Sequence, residues 1–205
     1  MDMQLDLFGG GAPKSARAGR AFPTHRWYFT LLPPPVIAQD IEYFALRMSR
    51  RYGVRRPVRA ARIHASLHGI GEGDEIPADD LDAALEVGEA IRRPAFDVTF
   101  DRLMTLDGGG KGRKGRQFPT VLSCSTGQRE IQALHSDLRR EMLRRGLEDG
   151  PSSILPHVTL WYDTGSVPEQ PLSRPFRWRV RQFFLVRTTL GEARPECLGE
   201  WRLGR

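Results

Sequence analysis

The chain has 205 residues, a formal net charge of +6, 40% hydrophobic and 27% charged residues. That length and balance fit one generous soluble domain or two fused lobes and exclude a disordered chain. The excess of arginine over acid favours a polyanionic partner such as nucleic acid. No apolar run reaches the length of a membrane span, so no membrane partner is expected. The first residues lack a basic-then-apolar signal pattern, and a cytoplasmic protein is the expectation. Cys124 and Cys197 form no metal-type spacing and are expected as buried free thiols.

Residues 1–22 read as a flexible tail, with the linker composition Gly9-Gly10-Gly11-Ala12-Pro13-Lys14-Ser15. Within it, Gln4-Leu5-Asp6-Leu7-Phe8 looks like the pentapeptide with which bacterial proteins bind the DNA sliding clamp. Gln4, Leu5, Leu7 and Phe8 would enter an apolar pocket of that partner. Residues 23–205 form the folded domain in this reading.

Arg26 to Leu32 is aromatic and apolar, ends at Pro33-Pro34-Pro35, and predicts a strand. Ile37, Ile41, Phe44, Ala45 and Met48 recur at helical spacing over 36–52. In 61–70, Ile63, Ala65 and Leu67 alternate with His64, Ser66 and His68, the period of a strand. A short helix over 80–91 and a strand over 96–106, with Phe96, Val98 and Phe100 on one face, come next. The Gly-rich basic stretch 107–117 joins that strand to another over 118–125, as a hairpin with a long loop. Ile131, Leu134, Leu138, Met142 and Leu143 make one stripe of a helix over 128–146. Strands over 154–162, 176–189 and 196–203 close the chain.

Two of these strands carry one pattern, His64-Ala65-Ser66-Leu67 and His157-Val158-Thr159-Leu160. Residues i and i+2 of a strand share a face, so each segment aims an imidazole and a hydroxyl at one surface. Side by side, the two would bring two imidazoles and two hydroxyls together. Imidazole titrates near neutrality and serves as base or acid. His64 and His157 are therefore the catalytic candidates, with Ser66 and Thr159 as donors to phosphate oxygens. His68 and Trp161 continue the same alternation and are expected on the substrate face, Trp161 as a stacking surface for a base. Tyr28 on the first strand is a further candidate contact. His64 and His68 lie about 13 Å apart in a strand, too far to share a metal. His25 and His135 are expected at the surface. The segment 108–116 lacks the Gly-Lys-Ser/Thr ending of a nucleotide-binding P-loop. It reads instead as a basic hairpin tip able to touch RNA backbone.

Each half of the chain has a helix followed by a His-bearing strand, which points to an internal duplication. The paired segments resemble the two-histidine phosphoesterase superfamily, in particular the bacterial 2′-5′ RNA ligase / RNA 2′,3′-cyclic phosphodiesterase family. Arg26-Trp27-Tyr28-Phe29-Thr30-Leu31-Leu32-Pro33 resembles that family's opening strand. Ile63 to Gly71 resembles its first motif, and Leu155 to Leu160 its second. Ser66 stands where threonine is commoner. Trp161-Tyr162-Asp163 stands where members often carry a basic residue. The resemblance implies an α+β, duplicated bilobal fold, two antiparallel sheets facing across a central cleft with helices outside. It implies metal-independent opening of a 2′,3′-cyclic phosphate at an RNA end without a cofactor, and in some members 2′-5′ joining of RNA ends. The protein is expected to act as a monomer. A phosphoesterase of a small cyclic nucleotide is the alternative enzyme. A catalytically idle module that binds nucleic acid or the clamp is the alternative outside enzymes.

Overall fold

The structure is a computed structural model that describes residues 24–107, 111–112, 115–148 and 150–204. The clamp-like pentapeptide lies outside the described residues, as do the side chains of the basic tip at 108–116. Among the described residues ten strands, three α-helices and one 3₁₀ turn (Ala60–Arg62) follow in chain order. β1 is His25–Leu31, α1 Pro35–Arg51, β2 Ala65–Gly73, α2 Ala78–Ala90 and β3 Phe96–Thr105. β4 (Lys111–Gly112) and β5 (Gly115–Arg116) pair as a two-residue ladder inside the long hairpin loop. Then come β6 Phe118–Thr126, α3 Gln128–Arg144, β7 His157–Asp163, β8 Gln170–Val180, β9 Gln182–Thr189 and β10 Glu196–Arg202. No helix among the described residues is long and apolar enough to cross a membrane.

The helices begin and bury as their sequences dictate. Pro35 opens α1, where its missing N–H costs nothing. Ile41 and Ala45 are fully buried, and Ile37, Phe44 and Met48 pack partly against them. In α3, Ile131, Leu134, Leu138 and Met142 are buried, whereas Leu143 has turned out to solvent at the edge of the stripe. β3 buries Phe96, Val98 and Phe100 as its period of two requires.

The strands form one antiparallel sheet of order β10-β9-β1-β2-β7-β6-β3-β8, with β4–β5 apart. This α+β architecture differs from the expected pair of facing sheets. The halves β10-β9-β1-β2 and β7-β6-β3-β8 are joined through the pairing of Ala65 with Val158. The predicted strand over 176–189 is two strands, split at Arg181. β8 pairs with β3 in one half and β9 with β1 in the other. A single residue bridges only a few ångströms. The sheet must therefore curl until its two halves meet at residue 181.

The helices cover one face of the sheet. Their buried side chains form a single core with Phe29, Leu31, Ala65, Leu67, Phe100, Val158 and Leu160. A small separate cluster of Tyr28, Phe184 and Val186 lies on the other face. Cys124 is buried in β6 as expected, but Cys197 is exposed, because β10 is an edge strand covered on one side only.

Gly127 precedes α3 with φ +85°, and a Cβ there would lie 2.4 Å from the Asp97 carbonyl oxygen. Gly127→Ala meets both a left-handed backbone and a backbone collision. It should destabilise the fold by about 1–3 kcal/mol in a denaturant titration. An unchanged midpoint would show that the β6–α3 turn is not held as described.

Candidate active site

The Ala65–Val158 pair sits in the middle of both histidine segments. Ala65 and Val158 point into the core, so their neighbours in sequence point the opposite way. Antiparallel geometry then sets His64 across from Thr159 and Ser66 across from His157. The two imidazoles stand on a diagonal of about 7–8 Å, room enough for a phosphate between them. All four side chains are half-buried on the face away from the helices. The hydroxyl of Thr30, on β1, donates to the Ala65 carbonyl at 2.9 Å and ties this stretch to the opening strand.

The two imidazoles are held in the same way. His64 Nδ1–H donates to the Arg62 carbonyl and His157 Nδ1–H to the Leu155 carbonyl, each at 2.7 Å and each two residues back. A carbonyl only accepts, so the proton is on Nδ1 in both rings, and Nε2 is left as the working nitrogen of each. The ring of Tyr28 lies 5.2 Å from that of His64.

Burial sets the electrostatics. Desolvation pulls His64 down to about 4, with His157 and Arg62 lowering it further and the Arg62 carbonyl opposing. His157 is also lowered by burial, against the bond to Leu155. Burial pushes the Tyr28 phenol up to about 12. Both histidines are thus biased toward the neutral ring in the unliganded protein.

Several predicted contacts fall elsewhere, for one shared reason. On β1, Phe29 and Thr30 are consecutive but oppose His68 and Ser66, so Leu67 is an extra, bulged residue. On β6, Thr120 and Val121 are consecutive but oppose Trp161 and Thr159, so Leu160 is bulged in the same way. The leucine of each tetrapeptide therefore inverts the alternation that follows it. His68 turns into the core at 0% exposure, its Nδ1 3.3 Å from that of His135. Trp161 turns inward at 1% exposure, its ring 6.5 Å from that of Tyr52 just after α1. Neither lies on the face of the catalytic candidates, contrary to the strict period of two. Tyr28 reaches that face but is 3% exposed, so it backs His64 rather than offering an open surface. Tyr162 takes the outward position instead, 51% exposed.

Each bulge leaves a carbonyl that an outside donor satisfies. Val58 N–H donates to the Leu160 carbonyl at 2.7 Å. His135 Nδ1–H donates to the Leu67 carbonyl at 2.8 Å. His135, expected at the surface, is 1% exposed for that reason: α3 lays it against β2. His25 is half-buried beside Thr189, with Nδ1 3.0 Å from the hydroxyl oxygen. Among the described residues no group of three or more His, Cys, Asp or Glu side chains could hold a metal ion. Thr30, Val58, His135 and Tyr162 are the positions that pattern reading missed. Val58, His135 and Tyr162 follow from the double-leucine bulge, which one sequence does not show, and Thr30 follows from the pairing of β1 with β2.

The fold has known counterparts. A family model described as the 2′-5′ RNA ligase superfamily matches residues 33–192. Among solved structures, E. coli LigT in its apo form has a TM-score of 0.62 at 26% identity, over 90% of this chain and 100% of that one. LigT complexed with ATP gives 0.64 at 23% identity, over 89% and 99%. The TT0787 protein of Thermus thermophilus gives 0.66 at 18% identity, over 86% and 97%. A sequence search of curated proteins finds no match. The matched span takes in both histidine segments and most of the sheet, and the protein belongs to the 2′-5′ RNA ligase superfamily of two-histidine phosphoesterases.

Proposed function

We propose that the protein hydrolyses a 2′,3′-cyclic phosphate at an RNA end, with His64 as base and His157 as acid. The observation that carries this reading is the matched pair of Nδ1–carbonyl bonds, which leaves two Nε2 atoms free on one face. In the proposed step His64 Nε2 takes a proton from water as its oxygen attacks phosphorus. The bond from phosphorus to one ribose oxygen breaks, and protonated His157 gives its proton to that oxygen. Ser66 and Thr159 hydroxyls donate to the non-bridging oxygens, where negative charge develops. With a 5′-hydroxyl in place of water, the same two transfers join RNA ends by a 2′-5′ linkage.

His64 takes the base role because burial, and then the charges of His157 and Arg62, lower it and keep its ring neutral and ready to accept a proton. Tyr162 offers the exposed ring that Trp161 does not, and stacking of a base on it would contribute about 1–3 kcal/mol.

The test is turnover of a short RNA ending in a 2′,3′-cyclic phosphate, in EDTA, across pH. The base must be neutral, so the rising limb of kcat/KM follows His64, near pH 4. The acid must be protonated, and His157 is lowered from 6.5, so the falling limb starts below that value. The expected profile is a bell lying on the acid side of neutrality. A rate that rises steadily from pH 5 to 9 would overturn the pair. No turnover at any pH would favour the idle binding module.

A further inference from the structure

Residues 50–64, which lead from the end of α1 to the first catalytic candidate, contain six arginines and no acid. All six are exposed. Three have a local account. Arg50 and Arg51 sit in the last turn of α1, where cations offset the carbonyl end of the helix. Arg59 Nε lies 3.0 Å from Glu42 Oε1. Among the described residues, Arg55, Arg56 and Arg62 make no ion pair. Three exposed cations within eight residues and without a counter-charge give the segment a positive field that attracts a polyanion.

The segment is also anchored to the site at two points. Val58 N–H is bonded to the bulged Leu160 of β7, and the Arg62 carbonyl holds His64 Nδ1–H. The positive charge of Arg62 is felt at both His64 and Tyr28. From Arg55 to Arg62 the chain spans at most about 22 Å, since Ala60–Arg62 is a 3₁₀ turn, and that is the reach of a few nucleotides. Arginine forks match phosphate oxygens two at a time, which suits a strand backbone.

We propose that residues 55–62 are the track for the RNA strand that leads into the reacting phosphate, so that the preferred substrate is an oligonucleotide and not a mononucleotide. This rests on the hydrolytic reading above for its direction, and on the arginine placement for its location. Base identity would matter little along the track, since phosphate contacts carry no sequence information.

The test compares the parent protein with the Arg55→Gln/Arg56→Gln double variant, both positions lying outside the catalytic candidates. Two substrates are used, a nucleoside 2′,3′-cyclic phosphate and an RNA of about ten nucleotides with the same end. Expected is a loss of about tenfold in kcat/KM on the RNA with the nucleoside unchanged. Binding is read separately, by fluorescence anisotropy with an RNA ending in a 3′-phosphate, at several salt concentrations. The slope of log affinity on log salt should shrink by about 1.4, or about 0.7 for each phosphate no longer neutralised. An equal loss on both substrates, or an unchanged slope, overturns the track. Absence of turnover by the parent protein would remove the hydrolytic reading, while the anisotropy slope would still decide the track.

Discussion

His64→Ala and His157→Ala should each lower kcat/KM on a cyclic-phosphate RNA end by about 10²–10⁴-fold, the usual contribution of one positioned acid or base. The two rings act in one concerted exchange, so the double variant should be little worse than the poorer single variant. The reason is geometric. Each ring is fixed by its own Nδ1–H bond to a carbonyl two residues back, and each offers only Nε2 to a substrate. Removing either breaks the relay as fully as removing both. Folding should survive, because both side chains are half-buried on the face away from the helices and outside the main core. The measurement is steady-state kinetics beside thermal melts. Losses that multiply in the double variant would show two independent roles and would sink the paired mechanism.

Ser66→Ala and Thr159→Val should each cost about 10²-fold or more in kcat, the typical effect of losing one donor at developing negative charge. Ser66 stands across from His157 and Thr159 across from His64, by the same register that pairs Ala65 with Val158. The two hydroxyls are therefore near equivalents in the two halves, and their losses should be similar in size. Ser66→Thr and Thr159→Ser, which keep the hydroxyl, should stay within a few-fold of the parent. KM should move less than kcat, because the donors act most strongly on charge that appears in the transition state. A variant without the hydroxyl that retains full kcat would remove that residue from the site.

The bulges explain why part of the site was legible in the sequence and part was not. The tetrapeptides themselves were readable: His and hydroxyl two apart share a face in any strand, and the structure keeps that relation. Just beyond the leucine the reading failed, at His68 and Trp161. Their placement depends on which residue of β1 or β6 lies opposite, and a single extra residue at Leu67 or Leu160 reverses the face. Tyr162 replaced Trp161 on the open side for the same reason. Helical stripes survived better, since a helix hydrogen-bonds within itself and its period needs no partner strand. The reading of α3 erred at the margin of its stripe, at Leu143, and at His135, which it placed at the surface.

Local pattern by itself determined the three helices, the strands at the two histidine segments (though β2 starts at Ala65, just past His64, and not at 61) and the two His-hydroxyl pairs. These follow from spacing and composition inside short windows. Tertiary structure alone decided that the strands form one sheet, that β8 and β9 part at Arg181, and that His135 reaches the Leu67 carbonyl. It also decided that Val58 pins the arginine segment to β7. Each of these is a pairing between residues far apart in the chain. A strand's hydrogen bonds and facing side are completed by its neighbour, so no window of the sequence holds them.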